Sequence, residues 1–173
     1  MNKGNSNPLI SVLLSVHNDD KNIKNSIDSI LSQSYKNIEL LIIDDCSTDK
    51  TYDILNKIKD NRVKIFRNKE NKGLTKSLNI LINKSNGEIL ARQDSDDISL
   101  PKRLEIQYKT LNKHQLDACT TRAYVKNSKQ SIPRFSHYLP IKLTIKYKNP
   151  FIHGTLMVKK KAILDVGLYD ENV

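Results

Sequence analysis

The sequence predicts an α/β fold in which helices flank a doubly wound, mainly parallel sheet. Short, nearly continuous apolar runs alternate with segments whose apolar residues recur at helical spacing. Such runs are typical of parallel strands buried on both faces, and their alternation with helices predicts right-handed βαβ units. With 173 residues, 38% of them hydrophobic, the chain is long enough for one domain but not for two.

Six strands are predicted from apolar runs bounded by turn-forming residues. In chain order they cover residues 10–16, 38–43, 63–66, 88–93, 117–125 and 155–158.

Helices are predicted where apolar residues recur every three or four positions. Gly73 opens one helix and Asn86-Gly87 ends it, Thr48 or Asp49 can cap another, and Pro101 suits a first turn. Residues 126–140 are expected to form a loop or an irregular hairpin. Two shorter helices are predicted over 140–147 and 160–166, and Gly167 closes the second. The four apolar stripes are Ile23, Ile27, Ile30 and Leu31; Ile54, Leu55 and Ile58; Leu74, Leu78, Leu81 and Ile82; and Leu104, Tyr108 and Leu111.

The first eight residues predict a disordered leader, and residues 9–173 predict a single domain. No signal peptide and no apolar run of membrane-spanning length is present, so we expect a cytoplasmic protein. The two cysteines, Cys46 and Cys119, lack metal-ligand spacing, which argues against a zinc site.

The formal net charge of +10 permits an anionic partner, such as a nucleotide diphosphate, a membrane surface or nucleic acid. The charge is spread along the chain. Aromatic residues make up only 6% of the sequence and tryptophan is absent, so no base-stacking platform supports a nucleic-acid-binding module. We expect no nucleic-acid partner.

Acidic residues follow two of the predicted strands. Asp44 and Asp45 come after the second, and Asp94, Asp96 and Asp97 come after the fourth. Ligands of open parallel sheets bind beyond the carboxyl ends of the strands, and a divalent cation relieves the repulsion between clustered carboxylates. Oxygen ligands suit Mg²⁺ or Mn²⁺, which typically bind substrate phosphates as well. Turn formation and helix capping remain the alternative role for both clusters.

The five glycines exclude the usual phosphate-binding loops, because no two have the spacing of a dinucleotide fingerprint or a P-loop. A phosphoacceptor receiver domain also has an acidic pocket in a parallel sheet. Its acidic pair should follow the first strand, whereas here the pair follows the second.

Several segments, in order and spacing, resemble family-2 glycosyltransferases with the GT-A fold. They lie at residues 10–18, 29–35, 41–51, 71–74, 87–104, 149–158 and 165–171. The resemblance implies a transferase that uses a nucleotide-diphosphate sugar, in particular a UDP-sugar, with Mn²⁺ or Mg²⁺. The implied acceptor is a glycan or a lipid-linked glycan of bacterial surface polysaccharide synthesis. Peripheral association with the inner face of the membrane and a homo-oligomer are further hypotheses.

The resemblance also assigns roles to residues. It implies that Asp45 accepts a hydrogen bond from the nucleobase and that Ser15 lines the base pocket. Asp94 and Asp96 match the DXD motif, in which Asp96 binds the metal and Asp94 faces the ribose or the water shell of the metal. Asp97 is expected to cap the next helix or to assist the metal.

Arg92 and Lys76 are implied to lie near the nucleotide, and His153 near the sugar or the diphosphate. Two places depart from the family pattern. The first strand usually ends in proline followed by Tyr-Asn, whereas here Val16 is followed by His17 and Asn18. Cys46 stands where glycine or alanine is common. These departures concern the shape of the base pocket.

The family's catalytic base is expected beyond Val173, and Asp170 and Glu171 do not match it. We therefore expect the 173-residue chain to bind a nucleotide sugar but to transfer it slowly or not at all. A truncated, non-catalytic nucleotide-sugar-binding module is the main alternative.

Overall fold

The computed structural model describes residues 7–125, 128, 130–133, 146, 149 and 151–172. The predicted helix at 140–147 and residues 1–6 of the predicted leader lie outside this range, apart from Lys146. The carbonyl oxygens of Asn7 and Pro8, at the end of that leader, accept hydrogen bonds from Asn37 and Tyr35.

The main sheet has six strands in the order β3-β2-β1-β4-β8-β5 among the described residues. The strands β1 to β4 are parallel, and β8 is antiparallel to both β4 and β5. The predicted mainly parallel sheet is thereby confirmed. The strands are β1 (Ile10–Val16), β2 (Ile38–Asp44), β3 (Val63–Arg67), β4 (Ile89–Asp94), β5 (Ala118–Cys119) and β8 (Met157–Lys159).

The helices connect the strands much as the apolar stripes predict. They are α1 (Ile23–Leu31), α2 (Thr51–Leu55), α3 (Leu74–Lys84), α4 (Arg103–Lys113) and α5 (Lys160–Asp165), with a 3-10 turn at His153–Thr155. None of the described helices combines the length and apolar character needed to cross a membrane.

The predicted strand at 117–125 is wrong as a continuous element. It is divided into β5 and a separate strand β6 (Ala123–Tyr124), which pairs with β7 (Ser131–Ile132) in a small antiparallel hairpin. The predicted strand at 155–158 begins later, at Met157, because residues 153–155 form the 3-10 turn.

Two hydrophobic clusters cover the two faces of the sheet. Alternate residues of β1, such as Val12 and Leu14, pack with α1, α2 and α4, whereas Leu13 packs with α3 and α5. Because successive strand residues point to opposite faces, a strand covered on both sides must be apolar throughout. This explains the nearly unbroken apolar runs in β1 and β2. The helices cover the two faces of the sheet and not the carboxyl ends of its parallel strands.

Candidate nucleotide-sugar site

The strand register brings the predicted site residues to one edge of the sheet. Val16 at the end of β1 pairs with Asp44, and Ser15 pairs with Asp94 on the other side. Ser15 is half-buried between the ends of β2 and β4. The two acidic clusters therefore lie on either side of the last residues of β1, as the sequence predicts.

Asp45 is buried and fixes the loop that leads into α3. Its Oδ1 accepts hydrogen bonds from Asn68 Nδ2 at 2.7 Å and from the backbone N–H of Lys72 at 2.9 Å. Its Oδ2 accepts one from the backbone N–H of Gly73 at 2.8 Å. Gly73 has φ 80°, which only glycine adopts without strain. Asp45 thus determines where α3, with Lys76 exposed in its first turn, begins.

Asp44 has a different environment from its neighbour. It is fully buried, and its Oδ2 lies 2.9 Å from Nε of Arg67 at the end of β3. The guanidinium of Arg67 also lies over the Tyr52 ring, 4.1 Å from its centre. Asp44 therefore joins the ends of β2 and β3, and its backbone oxygen accepts a hydrogen bond from the N–H of Asn68 at 2.9 Å. Of the two acidic side chains, only that of Asp45 is hydrogen-bonded to the 68–73 loop.

The departures from the family pattern at His17 and Cys46 fall in the loops beside Asp45. Nδ1 of His17 lies 2.8 Å from the backbone oxygen of Asp45, where only a donor fits. Oδ1 of Asn18 accepts a hydrogen bond from the backbone N–H of Thr48 at 2.7 Å. Asn18 and Cys46 both have positive φ, of 52° and 62°. Glycine tolerates that conformation best because it has no Cβ atom, which agrees with the glycine that the family resemblance places at position 46.

The turn after β4 holds the second acidic cluster. Nε and Nη2 of Arg92 lie 3.0 and 2.9 Å from Oδ1 of Asp94, so both nitrogens contact one carboxylate oxygen and Oδ2 is left free of Arg92. Partial burial and the negative charges of Asp94 and Asp96 raise the pKa of Asp97. This turn therefore concentrates negative charge that Arg92 balances only in part.

The carboxylates of Asp94 and Asp97 converge on Gly154. A Cβ atom built on Gly154 would lie 2.6 Å from Oδ2 of Asp94 and 3.0 Å from Oδ2 of Asp97. The two oxygens are thus close to a single point that any larger residue would fill. Asp97 does not cap the next helix, since α4 begins only at Arg103, and this part of the sequence-based prediction is wrong.

Carboxylate oxygens are the type of ligand that a hard divalent cation prefers. Among the residues that the structure describes, no group of three or more His, Cys, Asp or Glu side chains is placed so that it could hold a metal ion. Magnesium-type sites in phosphate-binding proteins typically use only one or two carboxylates, with substrate oxygens as the other ligands. Asp94 and Asp97 supply such a partial set, and Asp96 is exposed on the same turn.

The family of the chain is decided by comparison with known sequences. The family model described as glycosyl transferase family 2 matches residues 11–170. The chain belongs to glycosyl transferase family 2.

The chain is similar to several bacterial glycosyltransferases, among them the following three. A putative glycosyltransferase of Bacillus subtilis strain 168, EpsE, is 37% identical over 163 residues, which is 91% of this chain and 59% of EpsE. The O-antigen biosynthesis glycosyltransferase WbnJ of Escherichia coli is 38% identical over 164 residues, 90% of this chain and 63% of WbnJ. The E. coli UDP-Glc:alpha-D-GlcNAc-diphosphoundecaprenol beta-1,3-glucosyltransferase WfaP is 39% identical over 99 residues, 57% of this chain and 39% of WfaP. The chain spans about three fifths of the length of the first two relatives.

Solved structures show the same fold. TarS 1–349 of S. aureus, a structure also determined with UDP, superposes with a TM-score of 0.79 at 23% identity, over 94% of this chain and 50% of that one. The mannosyltransferase PcManGT of Pyrobaculum calidifontis, in complex with GDP-Man and Mn²⁺, gives a TM-score of 0.81 at 20% identity, over 98% of this chain and 49% of that one. The GT-A fold expected from the sequence is confirmed.

His153 is the remaining residue to which the family-2 resemblance gives a role. It is exposed in the 3-10 turn directly before Gly154, and its Nε2 lies 2.9 Å from Nδ2 of Asn149. The turn therefore brings His153 near the 94–97 carboxylates, and its assigned role in this family-2 chain stays a prediction.

Sequence reasoning missed several residues that shape the family-2 site. Asn68 and Gly154 contact the predicted carboxylates directly, and Gln93 and Arg103 hold the 94–97 turn from behind. Glycine next to a candidate histidine was a usable signal for Gly154. Asn68, Gln93 and Arg103 gave none, because polar residues at those positions are equally typical of a solvated surface.

Proposed function

We propose that the chain is the nucleotide-sugar-binding part of a glycosyltransferase that moves a sugar from a UDP-sugar to a glycan or lipid-linked acceptor. The observation that carries this proposal is the convergence of the Asp94 and Asp97 carboxylates at the edge where Asp45 closes the neighbouring loop. Membership in family 2 supports the reaction class.

Asp45 keeps the capacity to bind a nucleobase. A carboxylate has about four acceptor positions, and three are used by the 68–73 loop, two on Oδ1 and one on Oδ2. The remaining position on Oδ2 suits a single N–H donor, such as N3–H of uracil. Ser15, half-buried on the adjacent strand, lies where it can line the same pocket.

The 94–97 turn would hold the diphosphate end. Asp96, with Asp94 and Asp97, provides oxygen ligands for Mn²⁺ or Mg²⁺, which when bound neutralises the charge that develops on the leaving nucleoside diphosphate. Arg92 pairs with Asp94 and so fixes one of its oxygens. We assign Lys76 and His153, which are both exposed, to phosphate and sugar contacts.

The acceptor and the cellular setting rest on relatives. WfaP is named for a diphosphoundecaprenol acceptor and WbnJ for O-antigen synthesis, which supports a lipid-linked or glycan acceptor in surface polysaccharide synthesis. Cytoplasmic location, peripheral membrane association and a homo-oligomer stay predictions. Glu171 Oε1 accepts a hydrogen bond from Asn79 Nδ2 at 2.8 Å, which supports a structural role for this residue.

Calorimetric titration of UDP, GDP and dTDP, each with Mn²⁺ and with a chelator, tests this proposal. We expect the chain to prefer UDP and to bind it at least about tenfold more tightly with Mn²⁺, the effect of roughly one charge-assisted contact. We call this gain in UDP affinity with Mn²⁺ over the affinity with chelator the Mn²⁺-dependent increment. Asp96→Ala should remove the increment and leave the metal-free UDP affinity unchanged. Equal UDP affinity with Mn²⁺ and with chelator would contradict the proposal.

A further inference from the structure

The guanidinium of Arg103 is buried behind the 94–97 turn without a carboxylate partner. The residue is 9% exposed, and among the described residues no acidic side chain lies within ion-pair distance of it. Nη1 donates to Oε1 of Gln93 and to Oγ of Ser99, both at 2.7 Å, and Nη2 donates to the backbone oxygen of Arg92 at 2.6 Å. Burying a charge in this way is unfavourable unless its hydrogen bonds are well satisfied.

Arg103 determines the orientation of the Gln93 amide. A guanidinium has only donors, so the amide oxygen of Gln93 must face it and the NH₂ group must face away. There, Nε2 donates to the backbone oxygens of Asp94 at 3.1 Å and of Asp97 at 2.8 Å. A single side chain thus holds both ends of the acidic turn.

Ser26 of α1 completes the network. Its hydroxyl lies 3.0 Å from Gln93 Nε2, whose two hydrogens are shared among three acceptors, and donates a hydrogen bond to the backbone oxygen of Asp94 at 2.8 Å. The backbone oxygens of residues 92, 94 and 97 are therefore all bound from the buried side. The carboxylates of Asp94 and Asp97 are left to face Gly154.

We propose that Arg103 and Gln93 are positioning residues that hold the 94–97 turn in its metal-binding shape before the nucleotide arrives. Three carboxylates within four residues repel one another and would open an unrestrained turn. The buried positive charge of Arg103 opposes that repulsion, and the Gln93 amide fixes the backbone. This inference rests on the proposed function, because it concerns the same metal and diphosphate.

The variant Gln93→Glu distinguishes a change in the shape of the 94–97 turn from a change in its charge. The new carboxylate has the same size and still accepts hydrogen bonds from Arg103, which keeps it ionised, but it cannot donate to the two backbone oxygens. An added negative charge alone would attract a cation more strongly, whereas a displaced turn binds it more weakly. We expect the Mn²⁺-dependent increment in UDP affinity to fall about tenfold or more, with metal-free UDP affinity within about twofold of wild type.

The control is the reverse exchange at the opposite edge of the sheet. Glu39→Gln also replaces a buried side chain by its isostere, in β2 near its amino end. It should lower the stability measured by urea unfolding and leave the Mn²⁺-dependent increment intact. Loss of the increment in both variants would show a general effect of destabilisation and overturn the positioning role.

Ser26→Ala decides the question if Gln93→Glu does not fold. It removes one donor to the backbone oxygen of Asp94 and should reduce the increment in the same direction, by a smaller factor. An unchanged increment in a folded Gln93→Glu variant, or failing that in Ser26→Ala, overturns the positioning role alone. A wild-type chain that binds UDP equally with and without Mn²⁺ instead contradicts the proposed function.

Discussion

Gly154 shows how one residue without a side chain shapes the acidic site. The carboxylate oxygens of Asp94 and Asp97 occupy the space that a Cβ atom would need. Gly154 is not one of the residues of the described chain that have a positive φ. Its requirement for glycine therefore comes from close approach and not from backbone strain.

Gly154→Ala should displace the two carboxylates and weaken Mn²⁺-dependent UDP binding about tenfold or more, since ligand positions matter within about half an ångström. The titration with Mn²⁺ and with chelator measures this. Gly167→Ala is the control, because its φ of 88° strains the alanine while nothing lies within 4 Å of the new methyl group. The control should lose about 1 kcal/mol of stability and keep metal-dependent binding. Normal binding in Gly154→Ala would show that the carboxylates can move apart without consequence.

The sequence predicts the position of a single residue best where its chemistry and a strand end coincide, and the roles of these residues stay predictions. Asp45 and Asp94 follow apolar runs, and parallel strands necessarily bring such residues to one edge. Gly154 could not be placed, because its approach to Asp94 and Asp97 joins segments that are far apart in the sequence. Arg103 could not be placed, because its hydrogen bonds to Gln93 and Ser99 depend on how the start of α4 packs. The family resemblance supplied roles for Asp45 and Asp96 that composition and periodicity do not contain.

At the scale of elements, β5 shows where a pattern of apolar residues misleads. Residues 117–125 predict one strand, yet only Ala118 and Cys119 pair with β8. The backbone N–H of Thr121 donates to Oγ1 of Thr155 at 3.0 Å, and the same hydroxyl donates to the Thr121 oxygen at 3.1 Å. A side chain thus replaces the neighbouring strand, which periodicity cannot reveal.

Glu39 of β2 is hydrogen-bonded to three other segments near the amino ends of the strands. Its carboxylate accepts hydrogen bonds from Ser11 of β1 at 2.6 Å, from Lys64 of β3 at 2.8 Å and from the backbone N–H of Asn86 at 2.6 Å. Burial alone would raise the pKa of Glu39, but the hydrogen bonds from Lys64, Ser11 and Asn86 outweigh it and lower the pKa to about 2.

The lowered pKa of Glu39 predicts a loss of stability in acid. Its contribution is present above the ordinary pKa of 4.5 and is lost as the pH falls towards about 2. At about 1.4 kcal/mol for each pKa unit, the shift corresponds to about 3 kcal/mol of unfolding free energy.

Urea unfolding of the wild type and of Glu39→Gln between pH 7 and pH 2.5 measures this contribution. The difference between the two proteins should be largest at pH 7 and shrink as the pH falls. Glu88→Gln, at an exposed glutamate, should show no such trend. A difference between wild type and Glu39→Gln that does not change with pH would contradict the assignment.

At the scale of the whole molecule, the alternation of strands and helices was enough to predict the layered α/β fold. The order of the strands and the antiparallel direction of β8 were not predicted, because periodicity carries no information about strand direction. Family membership and the GT-A superpositions agree with the layered fold. The same architecture leaves Ser15, Asp45 and Asp94 together at one open edge.

We expect this edge of the sheet to bind a nucleotide diphosphate through a divalent cation held by the 94–97 turn. Crystals of the chain grown with UDP and Mn²⁺ would locate the cation in an anomalous difference map. We expect one Mn²⁺ peak within about 2.0–2.3 Å of carboxylate oxygens of the 94–97 turn, as for a hard divalent ion, with the uracil beside Asp45. UDP bound at another surface, or a Mn²⁺ peak away from Asp94, Asp96 and Asp97, would contradict it.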